Sequence, residues 1–189
     1  MKRDDQKLER RKQILMVALD LFVNKGFAAT KISDIANGCG MSTGLLFHYF
    51  SSKEALYIEL VNAGVSRSKA GLNNFSGSAI NIFEEIAKQL LNEIQNNCFV
   101  AKMFIFMAQA SNNDLLSEEM RYHLKWDNIK STEKIIRLGQ SEGTIREGDS
   151  TALAVAFWSA IQGLCQTLIM NEKMPCPDYR WIVDIIKNN

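Results

Sequence analysis

His48 and His123 are the only histidines in the chain, and neither has a carboxylate or nucleophile spaced to use it as a catalytic base. No phosphate-cradling glycine loop, paired-carboxylate signature or nucleophile motif occurs. The four cysteines, Cys39, Cys98, Cys165 and Cys176, stand singly, with no CxxC and no histidine at metal-ligand spacing. Three lie in apolar sequence, where a small buried thiol is the ordinary outcome. Cys176, between Pro175 and Pro177, is the thiol expected to be exposed. These residues predict no enzyme, no cofactor and no metal. A small helical enzyme and a thiol-based redox sensor are the alternatives. The positive signal is different: two short helices flank Cys39-Gly40-Met41-Ser42, and such a helix–turn–helix places its second helix in the DNA major groove.

The elements that must position this turn are helical almost throughout. Leu15, Ala18, Leu19 and Phe22 repeat at i, i+3, i+4, i+7, and Gly26 marks the end of that helix. The short segments 32–39 and 43–50 follow, the second with Ser42 as its N-cap. Ile35, Ala36, Cys39, Leu46 and Phe50 are expected to form a small core with the first helix. Ser51 and Glu54 read as a capping box opening a helix to about residue 68, with a loop over 71–77. Ile80, Phe83, Ala87, Leu91 and Ile94 mark the next helix, and Val100, Met103, Phe104 and Met107 another. Asp114 opens a long helix ending at Gly143, and Gly148-Asp149 precedes an uncharged one over 150–171. Trp181, Ile182, Ile185 and Ile186 mark one face of a last helix. No strand alternation and no repeat is visible, so the fold is predicted all-α.

A longer pattern carries a resemblance. Ile14, Ala18, Leu21, Phe22, Gly26 and Phe27 are followed at unbroken spacing by Ile32, Asp34, Ile35, Ala36 and the turn 39–42. Gly44, Leu46, Phe47, Tyr49, Phe50, Ser52, Lys53, Glu54 and Leu56 complete it. Over residues 10–60 this resembles the DNA-binding domain of the tetracycline-repressor (TetR) family. The resemblance implies a three-helix DNA-binding domain over 1–52 and a helical ligand-binding and dimerisation domain over 53–189. It implies a homodimeric, ligand-responsive repressor on a palindromic double-stranded operator. Thr43, Gly44 and Leu45 would then meet base edges, while Lys31, Ser33, Tyr49 and Lys53 would contact phosphates, which fix register. Phe47 departs from the family's tyrosine and lacks its hydroxyl. His48 reads as a surface or DNA-side contact. Gly38 also departs, at a cost near ~1 kcal/mol against alanine. Arg10, Arg11 and Lys12, with Lys2, Arg3 and Lys7, form a basic arm able to lie along phosphates.

The remaining chain is expected to supply the dimer and an effector pocket. Ala152, Ala156, Ser159 and Gly163 form a small-residue stripe on the uncharged helix, with Leu153, Phe157, Ile161, Leu164 and Leu168 on a neighbouring face. Dimerisation is assigned to the helices at 150–171 and 178–187. The pocket is assigned to Met103, Phe104 and Met107, with His123, Trp126, Trp158 and Gln162 as aromatic wall and polar contacts. A small, largely apolar effector suits that lining.

The 189 residues, 47% apolar and 23% charged, suit one or two domains. With 22 basic and 21 acidic side chains, the net charge of +1 excludes a non-specific nucleic-acid coat. Residues 1–60 hold 9 basic and 7 acidic side chains, enough for a reader that doubles its charge by dimerising. The polar start shows no signal peptide, and the uncharged stretch 150–171, interrupted by Ser159, Gln162, Gln166 and Thr167, reads as a buried helix, not a membrane span. A cytoplasmic protein is expected.

Overall fold

The computed structural model describes residues 3–72, 77–171 and 173–188. Lys2 of the basic arm and residues 73–76 of the expected loop lie outside the described residues. Helices are α1 (Arg3–Lys25), α2 (Ile32–Gly38), α3 (Thr43–Phe47), α4 (Lys53–Leu72), α5 (Ala79–Asn96), α6 (Cys98–Ala110), α7 (Glu118–Ser141), α8 (Ser150–Met170) and α9 (Tyr179–Val183). Apart from one isolated antiparallel bridge, Ile145 to Lys187, the described residues hold no strand, and the all-α expectation stands. The chain forms two compact units, Met1–Val65 and Ser66–Asn189, so the division lies within α4.

In the first unit α1 turns Ile14, Ala18, Leu19 and Phe22 inward, all buried, with Leu15 at the edge of that face. Ile35, Ala36, Cys39, Leu46 and Phe50 are buried with them, as the pattern required. Tyr57 of α4 meets Phe22 and Phe27 with ring centroids 5.4 and 4.8 Å apart, closing the aromatic end of this core. The α2–α3 turn depends on Gly40, whose φ of 63° a side chain would oppose. Gly38 is a close-approach position: a Cβ there would lie 2.7 Å from Val17 Cγ1. Alanine would therefore not recover the helix propensity that glycine gives up, because α1 stands in its way. Three boundaries differ from expectation. The segment after Ser42 is helical only to Phe47, and the cap of α4 is Ser52, whose Oγ accepts from Ala55 N–H at 3.1 Å, not Ser51. Ser52 directly precedes the first helical residue, so its hydroxyl is the one within reach of the free amides. The helix also runs on to Leu72, past the expected end near 68.

The second unit is a bundle in which α5, α6, α7, α8 and α9 share one core. Phe83 and Phe157 meet edge to face at 4.9 Å in its centre. Each connection is capped from nearby sequence: Asn97, Ser117, Asp149 and Asp178 accept from N–H groups at the starts of α6, α7, α8 and α9. α5 is served differently, with Glu142 accepting from Ala79 N–H at 3.0 Å. Asp114 does not open α7; the chain turns through Asn113 and Ser117 first, and Arg121 pairs back to Asp114. Gly139 of α7 is packed without room for any side chain. A Cβ there would lie 2.5 Å from Ile145 Cγ1 and Cδ1 and 2.9 Å from Ala79 Cβ.

Helix α8 is long and apolar enough to cross a membrane by composition, with mean hydropathy 1.5. It contributes Ala154, Phe157, Ile161 and Cys165 to the core, with Leu153, Leu164 and Leu168 at the margin. Most of the remaining helix is half-buried or exposed, so it is not the buried helix expected: apolar composition does not fix how many faces are covered. The last helix is five residues long. Ile182, Val183 and Ile186 face inward, and Trp181 points out at 67% exposure, so it does not share one face with Ile182 and Ile186 as the spacing predicted. One residue is a rotation of about 100° on a helix, which puts Trp181 beside that face and not on it.

Candidate nucleic-acid interface and interior ligand site

Helix α3 is a five-residue helix with one inward residue. Leu46 is fully buried, whereas Thr43, Gly44, Leu45, Phe47 and His48 are exposed. Ser42 Oγ accepts from Leu45 N–H at 3.2 Å and fixes the entry to the helix. Leu45 and Phe47, at 43% and 48% exposure, are large apolar side chains held out of a core that has room only for Leu46. Gly44 faces open space, its nearest non-neighbouring atom being Ser42 Oγ at 3.9 Å from where a Cβ would stand. Lys31 is exposed at the start of α2, and Ser33 and Tyr49 are half-buried.

Two cations assigned to phosphate are engaged inside the unit. Lys53 Nζ donates to Phe27 O at 2.7 Å and Thr30 O at 2.8 Å, and lies 4.2 Å from the Phe27 ring centre. One of its three N–H donors is left for another partner. Arg11 Nε donates to Glu59 Oε1 at 3.0 Å and a terminal amine of Arg11 donates to Tyr49 O at 2.7 Å, with the guanidinium 4.1 Å from the Phe50 ring centre. Arg11 is therefore a clamp on the residues after α3, not part of a free arm. Local spacing carries no trace of this pair, because Arg11 and Glu59 are 48 residues apart. Lys12 pairs with Glu9, and Arg10 donates to Gln13. A shallow depression of about 360 Å³ on the opposite kind of surface is lined by Met16, Val17, Asp20, Leu21, Asp34 and Gly38. Its carboxylates suit it poorly to phosphate.

In the second unit the seven residues assigned to a ligand separate into two groups. Met103 is buried and Phe104 and Met107 half-buried on α6; Phe104 stacks on Trp158 of α8 at 6.4 Å and 27°. Gln162 follows Trp158 by one turn, and its Nε2 is enclosed without a hydrogen-bond partner. His123 and Trp126 do not join them. Both are exposed on α7, where His123 Nδ1 lies 3.0 Å from Asp127 Oδ1. The inward positions of α7 are Thr132, Ile136 and Gly139 instead. Thr132 is a residue the sequence reading missed. Its Oγ1 accepts from Trp158 Nε1 at 3.2 Å and lies 2.8 Å from Asn128 O, and Asn128 Oδ1 in turn accepts from Ser68 Oγ of α4. A lone threonine between Ile129 and Ile136 on an apolar stripe was the available signal.

The thiols are placed differently from expectation. Cys98 is the exposed one, Cys176 is half-buried, and Cys39 and Cys165 are buried. Burial pushes the Cys165 thiol up to about 12 and raises Cys39 as well, so both stay protonated and poorly nucleophilic. Of Cys98, Cys165 and Cys176, the thiols open to the redox alternative, Cys165 is thereby removed. Among the described residues no cluster of side chains could hold a metal ion.

An exposed short helix delivered by a glycine turn, backed by two cation clamps, defines a helix-turn-helix DNA reader. Residues 14–60 match the family model described as bacterial regulatory proteins, tetR family. The regulator RutR of Escherichia coli is 30% identical over 157 residues, spanning 81% of this chain and 72% of that one. The chain belongs to the TetR family. The repressor KstR2 of Mycobacterium tuberculosis is 34% identical over 77 residues, 41% of this chain and 38% of that protein. The chain thus spans well under half the length of the first curated relatives it matches. Among solved structures, the MbdR regulator from Azoarcus sp. CIB superposes with a TM-score of 0.76 over 93% of this chain and 96% of its own, at 22% identity. That likeness shows the fold. The relatives are named as transcriptional regulators.

Proposed function

We propose that this protein is a cytoplasmic, ligand-responsive repressor that binds a palindromic operator as a homodimer and is released by a small, largely apolar effector. The observation that carries the reading is α3, with Leu46 fully buried and Thr43, Gly44, Leu45, Phe47 and His48 turned to solvent. Thr43, Gly44 and Leu45 meet base edges. His48, Tyr49, Lys31 and Ser33 serve phosphates, with the third N–H of Lys53. Phe47 supplies apolar contact where the family's tyrosine offers a hydroxyl. The DNA-reading domain occupies 1–52, supported by the first turns of α4, and the rest of the chain senses and dimerises.

The dimer reading draws on the outer face of α8, where Ala152, Ser159 and Gly163 are exposed, and on Trp181 and Met170, at 67% and 87% exposure. An exposed tryptophan and an exposed small-residue helix face are each the kind of surface a second copy covers. Effector response is proposed to pass through α4, an uninterrupted helix that begins at the Lys53 clamp and carries Ser68. The chain Trp158–Thr132–Asn128–Ser68 supports this by linking α8 and α7 to that helix with hydrogen bonds. An effector acts only through its differential affinity for two arrangements of these groups.

Selection of random duplexes on the full-length protein tests the reading. A two-fold symmetric site is expected to enrich. Tyr49→Phe should then weaken binding evenly across sequences, and Thr43→Val should relax preference at one base pair. Failure of any symmetric site to enrich, or variants that bind as the parent does, sinks the proposal.

A further inference from the structure

Among the described residues one buried side-chain polar atom has no hydrogen-bond partner, and it is Gln162 Nε2 on α8. The other buried polar side chains are satisfied: Thr30 on Gly26 O at 2.8 Å, Ser111 on Ala108 O at 2.8 Å, Ser150 with Arg137, Thr132 between Trp158 and two carbonyls. Buried amides are otherwise paired, because the lost hydration is not replaced. Methionine or leucine would fill the same space on this apolar helix without that loss. Position 162 is therefore built for a partner that arrives from elsewhere.

Three occupants compete. A water needs two to four polar partners, yet the side-chain donor one turn back on α8, Trp158 Nε1, is already bonded to Thr132 Oγ1 of α7. A second copy would dock on the outward face of α8, where Ser159 and Gly163 are exposed, whereas Gln162 Nε2 is already enclosed by its own chain. A small molecule beside Phe104 and Trp158 is the occupant that remains, and it must open the space it fills, because Nε2 is enclosed in the free chain. Met103 and Met107, next to Phe104 in sequence and one turn on along α6, have unbranched side chains of the kind that yield.

We propose that Gln162 donates a hydrogen bond to a carbonyl oxygen of a neutral apolar effector, whose body lies against the Phe104–Trp158 stack. This rests on the effector reading above and gives it a chemical class. The oxygen is that of a neutral group because Met103, Phe104, Met107, Trp158 and Gln162 carry no formal charge, and a carboxylate taken among them would lose its hydration uncompensated.

Calorimetric titration of the full-length protein with shape-matched pairs tests this: 2-acetylnaphthalene against 2-isopropenylnaphthalene, and 2-undecanone against 2-methylundec-1-ene. Each olefin replaces the carbonyl oxygen by a methylene. The ketone of at least one pair should bind at least about tenfold tighter than its olefin, since a site that hydrogen-bonds its ligand rejects the analogue lacking the group. Gln162→Met should erase that preference while raising the melting temperature of the unliganded protein. Ketone and olefin binding alike overturns the assignment of Gln162 and leaves the effector reading standing. If none of the four compounds binds, the site reading and this inference fall together. A lower melting temperature for Gln162→Met, or a shifted dimer dissociation constant with the ketone preference intact, places the amide in the fold or the interface and overturns the proposal.

Discussion

The two units put their chemistry on opposite sides of their cores. In the first, the core exists to hold residues out: Leu46 is fully buried so that Thr43, Gly44 and Leu45 can be presented. In the second, the candidates other than His123 and Trp126 lie in or at the margin of the interior, and the orphaned group is an amide nitrogen already shielded from water. An outward reader needs only local spacing to be recognisable. An inward sensor depends on which helices happen to meet, and so leaves a much weaker trace in the sequence.

The comparison breaks most readily at Leu46. Leu46→Ala should lower the stability of the first unit by about 2–5 kcal/mol and abolish operator binding. Thermal unfolding followed at an N-terminal probe and at Trp158 should show the second unit less affected; equal losses at both would mean the units do not differ as described. Arg11→Met comes next. It removes the hydrogen bonds to Glu59 and Tyr49 O and should cost about 1–3 kcal/mol, measured by urea denaturation. A wild-type midpoint would return Arg11 to a solvated arm. Gly44→Ala sharpens the contrast, since a Cβ there meets open space. The variant should gain about 0.5–1 kcal/mol of stability and still lose operator affinity, a combination that only a contact surface produces.

The smallest effect belongs to the second unit. Arg180's guanidinium and backbone N–H hold the Asp178 carboxyl at about 2, below its ordinary 3.8. A carboxyl depressed in the folded state stabilises above the unfolded value and stops doing so as pH falls through the folded one. The cap of α9 should therefore weaken between about pH 4 and 2, seen as a change in Trp181 fluorescence that Asp178→Asn removes.

Much of the first unit was legible. The inward face of α1, the glycine turn and the Ser42 cap follow from spacing and side-chain chemistry over a few residues. What escaped were Arg11–Glu59 and Lys53–Phe27, contacts made across 48 and 26 residues that spacing cannot encode. In the second unit helix existence was readable, but facing was not. Trp126, assigned by its type to the pocket wall, is exposed, and Trp181 points away from the face that Ile182 and Ile186 share. Thr132, read as nothing, turned out to be fully buried and central to the polar chain. Hydrophobicity ranks residues by what they prefer, while packing decides by what is adjacent.

The crowding around Gly139 carries an evolutionary consequence. Because the methyl of Ala79 and the side chain of Ile145 already occupy the space of any Cβ, no selection on propensity or surface charge can act at this position. In any lineage that keeps both neighbours, drift at residue 139 is closed. Variation there should appear only together with smaller residues at both 145 and 79, which makes the three positions a linked marker of descent.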